Sequence, residues 1–134
     1  MFIFDTDIYT NVVRKIPSEK LLDRLKKIPR RDQFTTTITI AEVYYGVMKA
    51  SNRTRLLGLF EAVLLPRATI LPFSFLAAKK YGKIRSFLAK QGTLLAHADL
   101  QIATIALSMN MTLVTANLKH FQRIPQLTVE NWLI

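Results

Sequence analysis

Residues 98–114 read ADLQIATIALSMNMTLV. The run from Ala98 to Met109 is largely apolar and long enough for a buried helix, with one acid, Asp99, near its start. Thr112 to Val114 is short and β-prone, and reads as a strand. A helix feeding directly into a strand is the repeating unit of an α/β fold. Working outward, the alternation recurs. Phe2 to Phe4 is a short apolar strand, followed by a helical stretch from about Thr6 to Arg14. Ser18 is placed to cap a helix whose Leu21, Leu22, Leu25 and Ile28 recur at helical spacing, and Pro29 ends it. Phe34 to Thr37 is a short β-prone run. Ile40, Val43, Tyr44 and Val47 then predict a helix over Thr39 to Lys49. Leu56, Leu57, Phe60, Val63 and Leu64 mark another, ended at Pro66. Ala68 to Leu71 reads as a strand. Ala77, Tyr81, Ile84 and Leu88 stripe a longer helix that stops before Gly92, and Leu127 to Val129 is a last strand. The pattern predicts a single α/β domain over residues 1–134, a mostly parallel sheet with helices on both faces. In such a fold the functional site lies beyond the carboxyl ends of the strands.

Composition narrows the function. Half of the 134 residues are hydrophobic, enough for a core that needs neither disulfide nor metal to form. The chain has no cysteine, which removes disulfide frameworks, thiolate zinc sites and thiol nucleophiles, and fits a reducing cytosol. MFIFDTDIYT at the start carries two carboxylates and no basic leader, so it is not read as a signal peptide. No stretch reaches the ~18 uninterrupted apolar residues that span a bilayer. A soluble, cytoplasmic protein with no membrane contact is expected. Nineteen Lys and Arg against nine Asp and Glu give a formal net charge of +10. That excess attracts polyanions, nucleic acid first and an acidic protein segment second.

Three acids stand apart. Asp5 ends the first strand, Glu42 is the only charged residue between Asp32 and Lys49, and Asp99 is the only formally charged residue between Lys90 and Lys119. Burying a lone carboxylate is costly unless something pairs with it. Each has a plain structural reading: Asp5 or Asp99 as a helix cap, Glu42 on a solvent face. On a parallel sheet, however, all three can reach one crevice at the carboxyl edge. Carboxylates converging there need a cation, and an all-oxygen set suits Mg²⁺ or Mn²⁺. Such an ion in a strongly basic protein suggests phosphodiester hydrolysis. His97 and His120 lack zinc-ligand spacing and read as structural or phosphate-contacting. With only four glycines, there is no Gly-rich phosphate loop.

FDTDI at the start, TIAEVYYGV at 39–47, ADLQIATIAL at 98–107, LVTANLKHF at 113–121 and the closing IPQLTVENW at 124–132 together resemble the PIN-domain family, most closely its VapC-type toxin ribonucleases. The likeness covers nearly the whole chain, in order. It implies a parallel sheet of four or five strands and Mg²⁺-dependent endoribonuclease activity, with Mn²⁺ as an alternative ion. By match to the motifs, Asp5, Glu42 and Asp99 would be the catalytic and metal-site residues, supported by Thr6 and Asn117. It also implies a homodimer and a cognate antitoxin whose C-terminal segment lies across the active-site groove. Two departures stand out. Relatives often carry a fourth acid just after the LVT strand, where this chain has Asn117. Many read DTN where this chain has Asp5-Thr6-Asp7; Asp7 either adds local negative charge or caps the first helix, and the cap is the preferred reading.

Arg14 to Arg31 holds eight Lys or Arg, and Lys79 to Lys90 holds five. Parts of these faces, with Lys119 and Arg123 near the site, are candidate RNA contacts. Tyr44 reads as core or dimer interface and Tyr45 as exposed, while the helix around Leu56 to Leu64 is a candidate antitoxin or dimer contact. Two other functions fit some of the residues. A degenerate PIN domain would bind RNA or protein without cutting. A haloacid-dehalogenase-like phosphatase would use Asp5-x-Asp7, but the lone Asp99 and the short chain disfavour it.

Overall fold

The computed structural model describes residues 1–134. Five strands, β1 (Phe2–Phe4), β2 (Gln33–Thr36), β3 (Thr69–Leu71), β4 (Thr112–Val114) and β5 (Val129–Glu130), form one sheet in the order β3-β2-β1-β4-β5. Every neighbouring pair is parallel. Seven α-helices connect them: α1 (Thr6–Val12), α2 (Glu19–Lys27), α3 (Thr37–Lys49), α4 (Arg53–Leu59), α5 (Phe75–Gln91), α6 (His97–Ser108) and α7 (Leu118–Phe121).

Strand alternation builds two cores. β1 and β4 pair in register, Ile3 beside Leu113 and Phe4 beside Val114. Successive side chains of a strand point to opposite faces. Ile3 and Leu113 therefore pack with Ala77 and Leu88 of α5, Leu100, Ile102 and Ala103 of α6, and Phe121 of α7. Phe4 and Val114 face the other way, onto Ile8 and Tyr9 of α1, Leu21 of α2, Val43 and Val47 of α3, and Trp132. Each fully buried large side chain contributes about 1.5–3 kcal/mol. The sheet is thus covered on both faces, as a parallel sheet requires.

Local chemistry sets the helix ends. Ser18 Oγ accepts from Leu21 N at 3.3 Å, Thr36 Oγ1 from Thr39 N at 2.9 Å and Ser74 Oγ from Ala77 N at 3.2 Å, each satisfying a first-turn donor. Gly92 closes α5 in the left-handed region at φ 69°, where glycine is unstrained. Some boundaries differ from expectation. Thr36, the last residue of β2, also caps α3, so the helix begins at Thr37, not Thr39. The stretch from Leu56 to Leu64 is not one helix: α4 gives way to a wide π-type turn at Phe60–Leu64, then a 3₁₀ turn at Leu65–Arg67. Pro66 sits in the first turn of that last element, where a missing N–H costs nothing. The last strand is Val129–Glu130 because these residues pair with Leu113 and Val114, while Leu127 turns into the core.

The chain order matters for function. From β1 it builds outward through β2 to β3, then crosses back to place β4 on the opposite side of β1. Between β1 and β4 the winding reverses. Crevices at such reversals, beyond the carboxyl ends of the strands, are where open α/β sheets bind their ligands. Asp5 directly follows β1 and Thr115 directly follows β4.

Candidate active site

Asp5 extends β1 by one ladder bond, its amide donating to Val114 O at 3.0 Å. Its side chain then turns to cap α1, Oδ1 accepting from Thr6 N at 2.8 Å. Oδ2 accepts from the Thr115 hydroxyl at 2.9 Å. The carboxylate is only 6 % exposed. Burial, reinforced by the charge of Asp7 and to a lesser extent Asp99, raises its pKa from 3.8 to about 7, against the lowering effect of its two hydrogen bonds.

The other acids gather around it. Thr6 Oγ1 donates to Glu42 Oε1 at 2.6 Å, so the residue that caps against Asp5 also holds Glu42. Asp99 lies in the first turn of α6, whose N-cap is Ala96; the capping role considered for Asp99 is not what the structure shows. Its carboxyl is raised above the usual range by burial first, then by the charges of Glu42 and Asp7, while His120 opposes. His120 Nδ1 stands 3.9 Å from Asp99 Oδ2. Asp99 thus lies within electrostatic reach of both Asp5 and Glu42, and Thr6 links Asp5 to Glu42, although the three acids are 37 or more residues apart in sequence.

Asp7 corrects the sequence reading. The cap of α1 is Asp5. Asp7 instead reaches across to the loop after β4, its Oδ2 accepting from Ala116 N at 2.9 Å and from the Thr115 hydroxyl at 3.3 Å. Its Oδ1 is buried without a hydrogen-bond partner. Burial is the main cause of its raised pKa. Asn117 is exposed, and its amide Nδ2 lies 2.8 Å from His120 Nδ1. It touches Asp99 only through that imidazole. Thr115, fully buried and shared by two carboxylates, was not singled out from the sequence. Its signal is the Thr of LVTANL, which looks like any β-prone residue ending a strand.

The donor chemistry fits a hard divalent cation: the acids brought near one another, Asp5, Asp7, Glu42 and Asp99, offer carboxylate oxygens. No three acidic or histidine side chains close into a preformed ligand cluster. On the surface, Lys119 of α7, the helix that brings His120 to Asp99, and Arg123 just after it are exposed, as are all eight basic residues of Arg14 to Arg31. Arg24 is tied to Glu130 at 3.0 Å, and Arg85 to Tyr81 and His97. Tyr44 packs its ring on Phe60 and donates to Glu61 at 2.7 Å, whereas Tyr45 is 66 % exposed. Away from the acids, a groove of about 550 Å³ runs between α1, α3 and α4, lined by Val13, Val43, Gly46, Val47 and Leu56 and rimmed by Arg14, Lys15 and Arg55. Phe60 and Leu64, grouped with this surface in the sequence reading, are largely spent on the core.

An all-parallel α/β domain with a carboxylate crevice at the reversal of its sheet defines the class. The PIN domain family model matches residues 2–127, and the chain belongs to the PIN-domain family. It is 35% identical over 132 residues to ribonuclease VapC2 of Haemophilus influenzae, covering 98% of both chains. It is 32% identical over 131 residues to the tRNA(fMet)-specific endonuclease VapC of Salmonella typhimurium, covering 98% of this chain and 97% of that one. The crystal structure of VapBC2 from Rickettsia felis, bound to a DNA fragment from its promoter, superposes with a TM-score of 0.87 at 32% identity over 98% of each chain. No helix is long and apolar enough to cross a membrane.

Proposed function

We propose that this chain is a Mg²⁺-dependent endoribonuclease toxin, acting in the cytoplasm and held inactive by a cognate antitoxin. The observation that carries the reading is the approach of Asp5, Glu42 and Asp99 to one another at the sheet reversal, with burial pushing up the pKa values of Asp5 and Asp99, in a chain of net charge +10. Like charges are assembled at one point while the rest of the protein attracts polyanions.

Asp5, Glu42 and Asp99 would hold Mg²⁺, or Mn²⁺, through carboxylate oxygens. When bound, the ion supplies Lewis-acid stabilisation of charge building on the phosphate and activates the attacking water. Thr6 fixes Glu42, and Thr115 fixes Asp5, so both carboxylates are oriented before substrate arrives. His120 stands beside Asp99 and supports it electrostatically. Lys119 and Arg123, both exposed and close in sequence to His120, would engage the RNA backbone. Asn117 supports the site through His120 and adds no charge.

The ribonuclease and endonuclease names of the relatives support RNA cleavage, and the VapBC2 complex supports an antitoxin partner. With the antitoxin's C-terminal segment across the active-site crevice, the separate groove between α1, α3 and α4 suits a further apolar part of it, whose acidic flanks would match the Arg and Lys rim. A homodimer is part of this reading. Incubating purified protein with labelled RNA in Mg²⁺ and in EDTA tests it: metal-dependent cleavage is expected, and binding without cleavage would move the assignment to a degenerate binding domain.

A further inference from the structure

Between Glu61 and Asp99 the chain carries six Lys and Arg and no acid. Five of the six lie on α5. Lys79, Lys83 and Lys90 are exposed, whereas Arg85 is half-buried and turns toward α6. Its Nη1 donates to the Tyr81 hydroxyl at 3.0 Å and lies 3.0 Å from His97 Nδ1. The Tyr81 hydroxyl also meets His97 Nδ1, and the two rings stack 12° from parallel. The guanidinium lies over the Tyr81 ring, 6.0 Å from its centroid. Tyr81 packs edge-on against Phe73 at 5.8 Å, and both rest on the core. One guanidinium is thus held in a fixed place by an anchored ring and an imidazole.

The cluster has donors to spare. Arginine only donates, so His97 Nδ1 accepts and the other ring nitrogen carries the N–H. The acceptors are then Nδ1 and the Tyr81 oxygen, too few for the five N–H groups of a guanidinium. Neither ion pair of the chain, Arg24 with Glu130 or His120 with Asp99, includes Arg85. A half-buried guanidinium without a carboxylate is short of an anion, and its planar fork matches phosphate.

The position of the cluster indicates which phosphate. His97 opens α6 and Asp99 follows two residues later. At 3.6 residues per turn, such a pair points to nearly opposite sides of a helix. Asp99 meets His120, while His97 meets Tyr81 and Arg85. The cluster therefore borders the acids across the first turn of α6, beside the lysines of α5. A strand of RNA cleaved at Asp99 would carry a neighbouring phosphate past it.

We infer that Arg85, held by Tyr81 and His97, binds a backbone phosphate of the RNA beside the scissile bond, a substrate-positioning contact outside the acid site. This rests on the ribonuclease reading above and adds to it a path for the RNA along α5.

The test is binding of a labelled single-stranded RNA in EDTA, where no cleavage intervenes, across a salt series for wild type, Arg85→Gln and Arg85→Lys. Arg85→Gln keeps a donor for Tyr81 or His97 and loses the charge. Its thermal midpoint should hold, its binding at low salt should weaken, and its dependence of log affinity on log salt should flatten by about 0.7. Arg85→Lys, which keeps the charge, should keep the wild-type slope. An unchanged slope for Arg85→Gln, whatever its affinity, overturns the inference, while Mg²⁺-dependent cleavage by the wild type would leave the ribonuclease reading in place. A wild-type chain that neither binds nor cleaves RNA overturns both. Should Arg85→Gln fail to fold, the Arg85 Nε–H resonance of the wild type decides: a shift that saturates with added RNA supports the inference, and a resonance that does not move overturns it.

Discussion

Thr115 Oγ1 donates to Asp5 Oδ2 at 2.9 Å across 110 residues of chain, joining the ends of the two strands between which the sheet reverses. This one hydroxyl fixes the most buried carboxylate of the site. Thr115→Val removes it and leaves that buried oxygen unpaired, so a loss of about 1–3 kcal/mol is expected in chemical denaturation. Thr115→Ser, which restores the hydroxyl, should recover most of it. A Val variant as stable as wild type would show that the contact is not maintained in solution.

Asp5 itself is expected to destabilise the metal-free protein at neutral pH. Its folded pKa is raised from 3.8 to about 7, so the folded state binds the proton more tightly than the unfolded chain. The stability this provides is complete below about pH 4 and is lost as pH rises through 7, an effect on the order of 4 kcal/mol. In EDTA the protein should unfold more readily at pH 8 than at pH 5. Asp5→Asn should flatten that dependence and raise stability at pH 8 while abolishing cleavage. Lower stability of the variant at pH 8 would contradict the assignment of a buried, uncompensated charge.

Thr6 has a different part. Its hydroxyl reaches Glu42 Oε1 at 2.6 Å, and Thr6 is only partly buried. Thr6→Val should fold with little change in midpoint but cleave about 10–100-fold more slowly, the scale seen when a ligand loses the group that orients it. Equal rates for Thr6→Val and wild type would remove Thr6 from the account.

Gly46 lies in the wall of the apolar groove, and a Cβ added there meets nothing within 4 Å. Gly46→Leu should therefore fill the groove and favour α3, since glycine costs about 1 kcal/mol in a helix interior. Cleavage by the free chain should persist, while neutralisation by the antitoxin weakens at least about tenfold, or ~1.4 kcal/mol. Undiminished neutralisation would place the antitoxin elsewhere.

RNA binding should fall steeply with salt. Lys119→Ala and Arg123→Ala should each flatten the dependence of log affinity on log salt by about 0.7 for a single-stranded target. A variant that weakens binding without changing the slope would mean its side chain does not meet a phosphate.

The parts of the proposed site that were legible in the sequence are those whose signal is local contrast. Asp5, Glu42 and Asp99 each interrupt an apolar or neutral element, and the strand–helix alternation around them placed all three on one sheet edge. What the sequence hid depends on contacts between distant segments. Thr115 is a β-prone residue at a strand end, and nothing nearby marks its hydroxyl as shared. Asp7 near a helix start looks like a cap, whereas its partners Thr115 and Ala116 stand 108 and 109 residues away. α7 has four residues, too few to show a period. The shift from α4 into the Phe60–Leu64 turn reflects the packing of Phe60 and Leu64 into the core, which an unbroken helical stripe does not reveal.

The central claim is that Asp99 belongs to a metal-dependent nuclease site, and Asp99→Asn tests it most directly. Wild type and variant, each shown free of co-purified inhibitor, would be incubated with a labelled RNA pool in Mg²⁺ and in EDTA. Cleavage by the wild type in Mg²⁺ alone, lost in the variant while its fold and RNA binding persist, is the predicted result. Equal cleavage by Asp99→Asn, or cleavage that survives EDTA, would contradict the account.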